Sequence, residues 1–143
     1  MALARKNGGN SVIYIILNLL PISAATLAAL VVGFAYHKAS TPRRRARKSM
    51  FGFGLVATAA LFWLASILAG ALILAPPKAD PWIMATGSAI VIWVGFVMPV
   101  IVVTQAYRAV PPRAIVGDCS FWLVAMVVQA VVMKTINLVA PPL

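Results

Sequence analysis

The chain has 143 residues, 63% of them apolar and only 10% charged, with a mean hydropathy of +1.00. A soluble domain is nearer half apolar and one quarter charged, so a chain of this size has no soluble core large enough for that apolar fraction, and the class is integral membrane protein. The net charge of +10, from 12 Lys and Arg against Asp80 and Asp118, would point to nucleic acid in a soluble protein; here the basic residues sit mostly at the ends of apolar runs, which assigns them to topology and anionic lipid headgroups instead.

Residues 1–11 are short and polar, with Arg5 and Lys6. The first predicted helix covers 12–36, a run without a charged residue. It exceeds the roughly 20 residues needed to cross a hydrocarbon core, and is too long for the ~7–15-residue core of a cleavable signal, so a retained span is expected. Pro21 lies inside it and predicts a kink. Asn18, Ala25, Ala29 and Tyr36 fall on one face at 3.6 residues per turn. Gly33 lies beside that face and completes a small-residue ladder with Ala25 and Ala29, of the kind that lets helix backbones approach in lipid.

Between this run and the next lies a basic cluster, Arg43, Arg44, Arg45, Arg47 and Lys48. Lys and Arg are retained on the cytoplasmic side while flanking helices insert, so this loop is expected inside, facing anionic headgroups. The second predicted helix covers 50–74, with Gly52, Ala59, Ser66 and Gly70 on one stripe; Ser66 and Gly70 form a small-xxx-small pair for helix packing. A short turn with Pro76, Pro77, Lys78 and Asp80 leads to a third helix at 82–105, with Trp82 at an interfacial position and Pro99 as a second internal proline. The loop 106–117 holds Arg108, Pro111, Pro112 and Arg113, and the fourth helix is expected at 118–139.

The expectation is thus a single all-α domain, an integral membrane four-helix bundle with short connections. With the arginine loop inside, the two inside loops hold eight Lys and Arg and the three outside segments hold three. That bias predicts both termini on the outer, non-cytoplasmic side.

Few residues offer chemistry. The single histidine, His37, and the single cysteine, Cys119, give no zinc-like ligand spacing and exclude bis-histidine haem ligation within one chain. No cofactor is expected. No Ser–His–Asp set can be assembled with convergent geometry and no phosphate loop follows a strand, so the chain is not expected to be an enzyme. Neither aspartate lies at mid-depth, where proton or ion translocation ordinarily places a carboxylate. Asp118, at the predicted start of the fourth helix, is expected to cap it, and Arg108 or Arg113 could pair with it. Lys134 is expected to snorkel to the outer headgroups. Gln129, near mid-membrane, needs a partner, and Asn18 or Thr58 could supply one across helices.

Three stretches carry a resemblance. Gly33-Phe34-Ala35-Tyr36 closes the first helix, Trp93-Val94-Gly95-Phe96 lies in the third, and Asp118-Cys119 with Phe121-Trp122 opens the fourth. This order resembles a family of small bacterial membrane proteins catalogued as domain of unknown function 1761, with G-F-x-Y, W-x-G-F and D-x-G-Y-x-L motifs. Here the expected aromatic of the third motif is Phe121-Trp122, and the glycine follows a different spacing. The resemblance implies a four-helix fold in a bacterial inner membrane and lends no activity to carry over. Two functions follow as expectations: a non-catalytic accessory or scaffold subunit that packs against itself or a larger complex, or a small transporter or channel subunit with Gln129, Asn18 and Asp118 lining a path.

Overall fold

The computed structural model describes residues 10–40, 50–75 and 80–140, and among these the regular structure is entirely helical. The first span comprises α1 (Asn10–Leu17) and α2 (Leu19–Ser40), the second is α3 (Met50–Leu74). The third comprises α4 (Pro81–Ile92), a π-helical turn (Trp93–Val97) and α5 (Met98–Tyr107), and the fourth is α6 (Pro112–Ile136). Four helical spans are thus long and apolar enough to cross a membrane. The basic cluster at Arg43, Arg44, Arg45, Arg47 and Lys48, the Lys78 turn, and Arg5 and Lys6 lie outside the described residues.

Both internal prolines leave a local signature. Pro21 has no N–H to give the Leu17 carbonyl, and the first span is broken into α1 and α2 at Asn18. In the third span the chain widens by one residue: the Met98 amide donates to the Trp93 carbonyl, five residues back. Pro99, which has no amide hydrogen to give, follows directly as the second residue of α5.

The boundary of the fourth span differs from expectation. The helix starts at Pro112, six residues before Asp118, with no side-chain cap. Proline has its φ preset for the first helical turn and loses nothing there, so Pro111-Pro112 opens the helix rather than keeping it in a loop. Asp118 is therefore an interior residue of α6, and its expected capping role is corrected. The aspartate that caps is Asp80, whose carboxylate accepts from the Trp82 amide at 2.8 Å, with Pro81 following as first helical residue.

The core is built on small residues. Ile22, Ala25, Ala65, Leu68, Ala85, Ala89, Met126, Ala130 and Met133 form its main part, and Ala29, Leu61 and Ala125 continue it. Ala25, Ala29 and Gly33 of the ladder are all buried, and α2 makes its most extensive interface with α6. A Cβ on Gly33 would lie 3.5 Å from the Phe121 ring, and one on Gly117 would lie 3.0 Å from the Tyr36 hydroxyl. These approaches are what the missing side chains permit.

The second-span stripe splits. Ser66 is buried and Gly70 half-buried against Tyr14, but no residue from 52 to 60 is buried, and Ala59 is exposed. Packing of α3 on the bundle is concentrated between Leu61 and Gly70; nearer its start the helix stands off and leaves a groove. The third span is the most peripheral, with 6% of its most apolar window buried against 28–33% for the others.

Candidate functional site

At the end of the bundle where α2 and α5 finish and α6 starts, three helices meet on one carboxylate. The Tyr36 hydroxyl donates to Asp118 Oδ1 at 2.7 Å, and the Gln105 side-chain amide donates to Oδ2 at 2.7 Å. Both bonds are short, as charge-assisted ones are. They orient the amide of Gln105, because a flipped amide would set its carbonyl oxygen against a group that only accepts. That oxygen, Oε1, is buried without a partner. The partners of Asp118 are these two neutral donors rather than Arg108 or Arg113, the candidate ion-pair partners.

Aromatic rings pack beside this junction. Tyr36 stacks on Phe121 with centroids 5.0 Å apart, and His37 meets Phe53 of α3 edge-on at 5.3 Å. Trp93, in the π turn, donates its indole N–H to the Cys119 carbonyl at 2.9 Å. An indole N–H inside a bundle needs such a partner, and this one ties the third span to α6 one residue from Asp118. His37 and Cys119 do not assemble a ligand set: among the described residues no group of three His, Cys, Asp or Glu side chains lies close enough to hold a metal ion.

The other two polar candidates lie elsewhere. Asn18 sits at the opposite end of the bundle, fully buried. Its amide nitrogen donates to the Tyr14 and Val139 carbonyls at 2.8 Å each, and its oxygen accepts from the Val139 amide at 2.7 Å. Asn137, with φ 65°, ends α6 and turns the chain back toward this clamp. Gln129, fully buried, donates to the Leu61 carbonyl at 3.0 Å, so its partner is the backbone of α3 rather than Asn18 or Thr58. Thr58 instead bonds its own helix at the Gly54 carbonyl. The Gln129 oxygen has no partner.

Asp118, Gln129 and Asn18 thus bind different elements at three depths, each tied to protein groups. Lys134 lines a small cavity of about 320 Å³ at the Asn18 end, beside Asn137 and Pro81. Sequence reasoning missed Gln105, and gave Trp93 only as part of a motif, without its tie to α6. A signal for Gln105 exists: Tyr36, Gln105 and Asp118 all lie near the span ends that face the two most basic loops, so their depths match.

Gln129 permits a direct test of a structural role. One hydrogen bond is offset by a buried carbonyl without a partner, and the Leu61 carbonyl that would lose its donor lies inside the α3 backbone ladder, so an apolar group of similar shape costs little. Gln129→Met is therefore expected to change unfolding stability in detergent by less than about 1 kcal/mol in either direction. A loss several times larger would mean the amide has partners beyond Leu61.

No protein-family model, curated protein or solved structure matches the chain.

Proposed function

We propose that this is a non-catalytic, multi-pass protein of the bacterial inner membrane, an accessory or scaffold subunit that packs in an oligomer or a larger membrane complex. Membership of the four-helix family that the sequence resembles is part of the same proposal. The observation that carries it is the separation of the intramembrane polar groups. Asp118 holds Tyr36 and Gln105, Gln129 holds Leu61 and Asn18 holds Val139. Groups that tie separate pairs of elements serve as interhelical fasteners, whereas a transport path would need them to converge on one cavity, so the transporter or channel reading comes second. The peripheral third span leaves a surface for association.

In this reading the arginine loop, Arg43 to Lys48, faces the cytoplasm and its anionic headgroups, and both termini face outward. Reporter fusions at Ala46 and Val110 should report a cytoplasmic location, and fusions at Lys78 and at the C-terminus an external one; a cytoplasmic C-terminus would reverse the assignment.

Purification in gentle detergent followed by mass spectrometry tests the function. A stoichiometric membrane partner, or a defined homo-oligomer, is expected. A lone chain that moves ions or solutes across liposomes would put the transporter reading first.

A further inference from the structure

Where α3 stands off the bundle, a groove of about 480 Å³ opens between α2, α3 and α6. Its walls include Leu30, Gly54, Ala57, Leu61 and Phe121, and it is almost wholly apolar except where His37 closes one end. His37 also lines a second, open cleft of about 650 Å³ with Tyr36, Arg113 and Asp118. The stacked Tyr36 and Phe121 rings form the partition between the two, with one ring on each side.

From Phe53 to Leu61 the groove follows eight residue steps along α3, roughly 12 Å at 1.5 Å per step. That is close to the ~15 Å depth of one leaflet of a hydrocarbon core about 30 Å thick. An apolar groove of that length suits extended hydrocarbon. Arg113 and Asp118 line the adjoining cleft, Lys38 and Arg108 stand at the ends of their helices on the same side of the bundle, and both oxygens of Asp118 are engaged by Tyr36 and Gln105. An apolar slot one leaflet deep that ends at a cationic rim is complementary to an anionic amphiphile. We propose that this groove binds an anionic phospholipid of the adjacent leaflet, one acyl chain lying along Ala57 and Phe121 and the phosphate seated in the cleft at His37 and Arg113.

Gly54 supplies a clean test. A Cβ built there has no atom within 4 Å, so a larger side chain fills the groove without displacing the bundle. The full chain in mild detergent is incubated with phosphatidylglycerol or phosphatidylcholine of identical acyl chains, and retained lipid is read by native mass spectrometry. The expected preference for phosphatidylglycerol is about fivefold, the factor one basic residue contributes at an anionic surface. Arg113→Gln should bring the two lipids to parity, and Gly54→Phe should abolish retention of both with an unchanged unfolding temperature. Equal retention of the two lipids by the unaltered chain, or undiminished retention by Gly54→Phe, would overturn the proposal. So would a dimer that dissociates in Gly54→Phe, since a second copy would then be the occupant. Should Gly54→Phe fail to fold, phosphatidylglycerol with a diazirine in its acyl chain, crosslinked to the unaltered protein, decides. Labels within 30–37, 53–61 or 121–122 support the groove, and labels confined to other faces refute it.

Discussion

Asp118→Ala is expected to lower stability in detergent by about 2–4 kcal/mol, because it strips two donors of their acceptor at once. Tyr36 and Gln105 reach the carboxylate from α2 and α5, so the loss falls on the junction of three spans. Among the described residues Asp118 is the one acceptor of the Gln105 amide, and the Gln105 carbonyl oxygen is already buried without a partner. Asp118→Asn should be milder, at about 1 kcal/mol, since the Asn oxygen keeps one donor and a flipped Gln105 can accept from the Asn amide. Unfolding by titration with a denaturing detergent, read by tryptophan fluorescence, distinguishes the two variants. Equal damage from both would mean that the charge itself, rather than the acceptors, holds the junction. An Asp118→Asn protein that is stable and assembled but inactive in the cell would bring the transporter reading forward.

Gly70→Leu and Ser66→Leu should each cost about 1–3 kcal/mol through overpacking, against little change for Ile67→Phe on the exposed face of the same helix. A Cβ on Gly70 would lie 3.2 Å from the Tyr14 hydroxyl, and that hydroxyl donates to the Ser66 carbonyl at 3.2 Å. A leucine at Gly70 must displace the ring and break that bond. Ser66 is itself buried, with its own hydroxyl bonded to the Phe62 carbonyl at 2.9 Å, and a leucine there pushes α3 off the bundle. Thermal unfolding in detergent measures both effects. Unchanged melting temperatures in the two variants would mean that α3 packs on the bundle through another face.

Several features follow from the residues alone for physical reasons that hold anywhere in a membrane. A run of 25 residues such as 50–74, with no charge, has to satisfy its backbone internally in lipid, and only a helix of that length does so. Pro21 and Pro99 lack an amide hydrogen wherever they stand, so a disturbance near each was legible in advance. Ala25, Ala29 and Gly33 share a helical face by period, and a small-residue face is where another backbone fits. The start of the fourth span was misread at a point where local chemistry allows two answers, since Pro111-Pro112 can sit in a loop or open a helix. Opening the helix at Pro112 carried Asp118 one and a half turns inside it and turned an expected cap into a fastener.

Which polar group meets which was decided only by the tertiary structure. Asn18 and Gln129 are both amides inside apolar runs, and pattern offers no reason to prefer one partner over another. The relative depth and rotation of the helices put Asn18 beside Val139, Gln129 beside the Leu61 carbonyl, and Tyr36 and Gln105 on either side of Asp118. The divergence of α3 that opens the groove beside Gly54 belongs to the same class. Gly52, Ala59, Ser66 and Gly70 are equivalent small residues along one stripe of the sequence. In the fold Ser66 is buried and Gly70 lies against Tyr14, while Ala59 on the same stripe is exposed.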